Sequence, residues 1–146
     1  MAEDEFEWKQ FQKHNRYTDE ELIKFKADPI KLKSAKRLFS KERAKYDLVV
    51  EVVESHGCTA GMKPGDRLVF KALGVLDPAR SSFGWCAQAL GEIPGFANMA
   101  QDRFISGLDP GGMFINHFSC MDAGVCHGWG QVVMKVSVVE AKKDKT

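Results

Sequence analysis

From Gln131 to Val138 the chain alternates, with Val132, Met134, Val136 and Val138 on one side and Gln131, Lys135 and Ser137 on the other. Successive strand side chains point to opposite faces, so this spacing predicts a strand with one dry face and one wet face. Such a strand is unstable alone and needs neighbours that share its dry side. The run from Tyr46 to Glu54 supplies one, being rich in β-branched residues with Leu48, Val50 and Val52 on one face. Gly57, Gly61 and the turn Lys63-Pro64-Gly65-Asp66 then lead back into Arg67-Leu68-Val69-Phe70-Lys71-Ala72, which reads as a hairpin with a longer loop. Past the turn at Leu108–Gly112, a further strand is expected over about 113–119, followed by the alternating one over 130–139.

The first 45 residues have a different character. They hold 12 of the 21 Lys and Arg and 9 of the 20 Asp and Glu. Residues 3–14 place Phe6, Trp8 and Phe11 among charges at helical spacing. Thr18 with Glu21 three residues later forms a capping box, and the helix it opens should end near Ala27. Asp28-Pro29 reads as a second N-cap with proline at the first helical position, and Ile30, Ala35, Leu38 and Phe39 supply the apolar side. Residues 40–45 read as a solvated connector. Between the hairpin and the last strands, residues 73–82 read as irregular. Ser81 or Ser82 is expected to cap a helix from Phe83 to Glu92 with Cys86, Ala89 and Leu90 on one stripe, broken by Pro94-Gly95. A further short helix is expected between Phe96 and Ile105. The fold class that follows is α+β: a helical N-terminal arm over 1–45, a mostly antiparallel β-rich domain with one or two inserted helices over 46–140, and a solvated tail over 141–146.

At 146 residues this is one domain's worth of chain, long enough to bury a core without a disulfide or a metal. A net charge of +1 offers no electrostatic case for nucleic acid or an anionic membrane, and no apolar run is long enough to cross a bilayer. The acidic, polar opening MAEDEFEWKQ has no signal-peptide pattern, which points to the cytoplasm. In that compartment four cysteines favour free thiols, catalysis or metal over a disulfide framework.

Chemistry concentrates in the cysteines and histidines: His56-x-Cys58, Cys86, His117-x-x-Cys120 and Cys126-His127. Thiolates and imidazoles hold zinc, and thiolates hold iron–sulfur clusters. In an extended stretch His56 and Cys58 point the same way and could share a target. A glycine-bearing loop over 120–127 can bend Cys120 and Cys126 toward one point, and Cys58 joins them if strands 46–54 and 130–139 are neighbours. Three readings stay open. The cysteines are buried structural residues, which fits Cys86 best; they bind a metal or cluster; or one is a reactive thiol, Cys126 beside His127 or Cys58 beside His56, with Asp122 or Asp66 as an orienting carboxylate. Gly128-Trp129-Gly130 reads as a turn whose Trp129 covers the core. There is no paired-carboxylate spacing, nucleophile elbow or zinc-protease helix.

Gly57-Cys58, Gly61-x-Lys63-x-Gly65-Asp66 with Phe70, Cys86 with Ala89-Leu90, and Cys120-x-Asp122 together resemble a family of small cysteine-containing bacterial and archaeal proteins, over about Leu48 to Val138. The resemblance implies that Cys58, Cys86 and Cys120 belong together, and that a soft-metal or redox role in prokaryotic, often anaerobic, metabolism is to be expected. It does not extend to Cys126 and His127.

The expectation is therefore a small accessory or metal-binding subunit of a larger enzyme complex. Its site draws on Cys58, Cys86, Cys120, Cys126, His56, His117 and His127, with zinc or an iron–sulfur cluster as the cofactor. Phe6, Trp8, Phe11 and Tyr17 are the candidate partner-binding residues, since large aromatics on so polar a segment must fold back on the body or dock on another subunit, a larger partner or a second copy. The alternatives are a stand-alone enzyme using a cysteine thiolate or a metal-bound water, and an interaction module without metal.

Overall fold

The computed structural model describes residues 6–82 and 84–142. Residues 3–5 of the expected first helix, Phe83 and the end of the expected tail lie outside the described residues. The chain forms two compact units, Met1–Arg43 and Ala44–Thr146.

The first unit contains α1 (Trp8–Asn15), α2 (Asp19–Lys26) and α3 (Pro29–Leu38). Their boundaries follow from local chemistry. Arg16 takes the left-handed conformation that closes α1. The Thr18–Glu21 capping box opens α2, with Glu21 N donating to Thr18 Oγ1 at 3.2 Å and Thr18 N to Glu21 Oε2 at 2.8 Å. Asp28 caps α3 by accepting from Ile30 N and Lys31 N, and Pro29 needs no amide partner there.

Phe11 organises this unit. It is 6% exposed and touches the rings of Phe6, Trp8, Tyr17, Phe25 and Phe39 at centroid distances of 5.3–5.9 Å. The N-terminal rings pack on one another within their own unit. Lys26 adds its ammonium over Trp8 at 4.7 Å. Ile30 does not join the apolar side of α3 and is 75% exposed. The stripe runs instead through Leu32 and Ala35, and Ile30 stands about 200° around the helix from Leu32.

The second unit is an antiparallel sheet with a helix on one face. Its strands are β1 (Tyr46–His56), β2 (Arg67–Lys71), β3 (Val75–Leu76), β4 (His117–Ser119) and β5 (Gln131–Glu140), in the order β3-β2-β1-β5-β4 among the described residues. The fold is α+β, as expected. β1 and β5 pair along their length, from Tyr46 opposite Glu140 to His56 opposite Gln131, with a bulge between Val52 and Glu54. Leu48, Val50, Val52, Val132, Met134 and Val136 are each at most 2% exposed. Burying such a side chain contributes about 1.5–3 kcal/mol. α4 (Ile93–Ile105) adds Ile93, Phe96, Ala100 and Phe104 from one stripe, with Phe104 against Tyr46 and Phe96 stacked on Phe118.

Two segments depart from expectation. The helix expected over Phe83–Glu92 is absent among its described residues, where a single 3-10 turn covers Ala87–Ala89. Pro94 lies in the first turn of α4 rather than breaking a helix, because a first-turn residue has no intrahelical amide bond to lose. Ser81 and Ser82 cap β2 instead, their hydroxyls accepting from Val69 N and Arg67 N at 3.0 Å each. The expected strand from 113 shrinks to β4. None of the helices among the described residues is long and apolar enough to cross a membrane.

On the face of β1 opposite Leu48, Asp47 is 2% exposed and accepts from Arg80 Nη1 at 2.5 Å, while Arg80 Nε donates to Asp77 at 2.8 Å. The second oxygen of Asp47, Oδ1, is buried without a partner, so this carboxylate depends on Arg80. The hydrogen bond from Arg80 holds Asp77 below its ordinary carboxylate range, and the bonds to Asp47 first and Asp77 second raise Arg80.

Three outcomes follow. Arg80→Ala should lower the urea-unfolding free energy of the second unit by about 3 kcal/mol, the low end for breaking a buried pair because Arg80 is itself partly exposed. Because folding lowers the pKa of Asp77, its contribution is present above the ordinary value near about 3.9 and is lost as pH falls through the lower folded value. The stability advantage of the wild type over Asp77→Asn, followed by thermal melts across acid pH, should therefore shrink as pH drops below about 4. In the first unit Phe11→Ala should cost about 3–5 kcal/mol, against the few kcal/mol that a unit of this size holds. Amide exchange over residues 8–38 should then lose its protection.

Candidate functional site

The end of β1 is shaped by two glycines. Gly57 has φ +66°, and a Cβ there would meet the Trp129 carbonyl oxygen at 2.7 Å. Gly130 lies against it, and its own Cβ would fall 2.3 Å from the His56 oxygen and the Gly57 carbonyl carbon. Two backbones therefore approach where only glycine fits, at the point where β5 begins. Beyond Gly57, the Cys58 carbonyl accepts from Gly61 N at 3.2 Å, and Ser55 Oγ donates to the Met62 carbonyl at 2.6 Å. The loop thus folds back and buries Met62 at the strand end.

Cys120 follows β4. Its amide donates to Val132 O at 2.9 Å, and Val132 N donates to its Sγ at 3.4 Å. The loop from 122 to 130 is gathered by Asp122. Its Oδ1 accepts from Trp129 N at 3.0 Å and Gly124 N at 3.1 Å, and its Oδ2 accepts from Gly130 N at 3.2 Å. These backbone donors, Trp129 first, hold the Asp122 carboxyl below the usual range. Cys86 opens the 3-10 turn at Ala87–Ala89, its carbonyl accepting from Ala89 N at 3.0 Å. Met121 N donates to the Gln88 carbonyl at 3.3 Å, which ties that turn to the residue after Cys120.

These ties bring Cys58, Cys86 and Cys120 to the wall of one pocket of about 30 Å³, alongside Met62, Ala89 and Val132. All three thiols are free and half-buried. The space suits a water or a single ion, since one water needs about 10–15 Å³ on this measure. As placed, no group of three or more His, Cys, Asp or Glu among the described residues forms a ligand set for a metal ion.

The other candidate residues lie elsewhere. His56 is exposed and is not part of the pocket wall, because the left-handed turn at Gly57 removes the shared direction that an extended chain would have given it with Cys58. His117 is exposed, with its Nδ1 2.7 Å from Asn116 Oδ1. Cys126 and His127 are exposed on the Asp122 loop. Neither proposed orienting carboxylate is turned to a thiol, since Asp122 binds backbone amides and Asp66 accepts from Lys63 N. Trp129 is 75% exposed and does not cover the core. Cys86 is not on a helical stripe but in a turn at the pocket. Of the aromatic candidates, Phe11 is enclosed by its ring neighbours, and Phe6, Trp8 and Tyr17 lie half-buried around it. Met62 escaped the sequence reading; its position four residues past Cys58, in a loop closed by a Pro-Gly turn, was the available signal.

No protein-family model, curated protein or solved structure matches the chain.

The Gly57–Gly130 approach gives a direct test. Gly130→Ala should destabilise the second unit by about 3 kcal/mol, because its new methyl meets main chain that cannot swing aside. Gly91→Ala, whose Cβ would meet nothing closer than Met121 Sδ at 3.9 Å, should be close to neutral. Urea midpoints of the two variants decide it.

Proposed function

We propose that the second unit is a soft-metal-binding module in which Cys58, Cys86 and Cys120 are the ligands, serving as an accessory to a larger protein. The observation that carries the reading is the convergence of three free cysteines, from sequence positions far apart, on one ion-sized pocket. The amide that Val132 donates to Cys120 Sγ supports it, since hydrogen bonds to ligand sulfur tune thiolate sites. Rotation of the cysteine side chains is left to close the set. A bound ion would supply a cross-link between three segments.

At about 30 Å³ the cysteine pocket suits an ion rather than an organic substrate, which asks for about 300–1,000 Å³. The accessory role is supported by the pocket's surroundings. Met121, Val125 and Trp129, on the stretch gathered by Asp122, are 77%, 65% and 75% exposed. Clustered exposed apolar residues beside a site mark docking faces. The histidines and Cys126 are left out of the ligand set because they do not line the pocket.

Anaerobically purified or reconstituted protein should hold one metal per chain by elemental analysis. Cys58→Ser, Cys86→Ser and Cys120→Ser should each lose it, and Cys126→Ser should keep it. Chelation should lower the melting temperature, because an ion bound only to the folded state stabilises it by mass action, about 2.7 kcal/mol at a hundredfold excess over Kd. Folded protein that takes up no metal under reducing conditions would overturn the reading.

A further inference from the structure

We infer that the ion this pocket takes is a soft monovalent cation, copper(I), bound by Cys58, Cys86 and Cys120 with the thioether of Met62 as a fourth donor. The inference rests on the soft-metal reading above and goes beyond it by naming the ion.

Four sulfur-bearing residues line the pocket: the three cysteines and Met62, which is 5% exposed. No imidazole joins them. The carboxylate at the wall, Asp122, has both oxygens engaged by backbone amides of the 122–130 loop, so it is not offered as a hard ligand. Gln88 and Gln131 add neutral amides only. Thiolates alone suit copper(I), zinc and iron–sulfur clusters alike; it is the thioether that favours copper(I), since zinc's four-coordinate sites are completed by a further thiolate, an imidazole or a carboxylate. Thioether sulfur is a weak ligand for zinc. An iron–sulfur cluster brings several iron and sulfide atoms of its own, more than a space of about 30 Å³ admits. A single large, soft ion is within that volume. Binding is a ligand exchange without redox change: copper(I) leaves a small-molecule carrier, and each cysteine thiol that ligates it releases its proton to buffer.

The test uses the full chain, reduced and metal-free, under anaerobic conditions. The protein is offered equimolar copper(I), as its acetonitrile complex, and zinc(II), with glutathione present as a competing thiol. Copper should be recovered at one per chain with little zinc, and X-ray absorption at the copper edge should show a shell of sulfur alone. Met62→Leu, a near-isosteric change whose folding is checked by its urea midpoint, should weaken copper(I) about tenfold or more against a chromogenic copper(I) chelator. The same variant should leave zinc(II) affinity unchanged. Zinc recovered in preference to copper, nitrogen or oxygen in the copper shell, or a Met62→Leu variant that folds and binds copper(I) as before would overturn the copper assignment while the metal module stands. Neither ion recovered from folded protein would overturn both.

Discussion

The pairing of β1 with β5 is the constraint on which the second unit depends. It joins residues 75 to 94 positions apart and runs from Tyr46–Glu140 to His56–Gln131, interrupted only by the bulge at Val53. Because the register is set by Leu48, Val50 and Val52 meeting Val138, Val136 and Met134, a slip by one residue would turn the dry face outward. The same register decides where the ladder stops. It stops at Gly57 and Gly130, so the chain leaving β1 and the chain entering β5 cross at contact distance. Cys58 leaves that crossing on one side, and the Asp122 loop enters it on the other.

Burial energies explain why the sheet tolerates a buried charged residue on its central strand. Six side chains of the β1–β5 strip are almost fully enclosed, each contributing about 1.5–3 kcal/mol. One unpartnered oxygen on Asp47 costs about 1–3 kcal/mol. The strip wins by a wide margin, and Arg80 removes most of what the remaining oxygen would have cost. The first unit has no comparable strip and relies on aromatic edges around Phe11, a different way to hold a short chain.

How much of this was legible depended on whether the signal was local. Thr18 with Glu21 and Asp28 with Pro29 marked helix starts that the structure reproduces, because a cap is a contact between residues two or three apart. The alternation over 131–138 and the β-branched run from Tyr46 likewise named their strands. Phe83–Glu92 misled, because Ser81 and Ser82 are good caps in isolation but their hydroxyls are taken by β2 amides twelve and fifteen residues away. The candidate site divided in the same way. Cys58, Cys86 and Cys120 were named, the last two brought together by a Met121–Gln88 bond that no spacing rule encodes. His56 was misplaced by the single dihedral of Gly57, and Met62 has no motif to announce it.

The serine hydroxyls on β2 also change how this surface meets other molecules. An exposed strand flank is a template on which a foreign chain lengthens the sheet. Here the amides of Arg67 and Val69 are already occupied by Ser82 and Ser81, and Asp77 N fills the Val69 carbonyl. With those groups engaged, this flank of β2 offers no free amide at Arg67 or Val69 to an added strand.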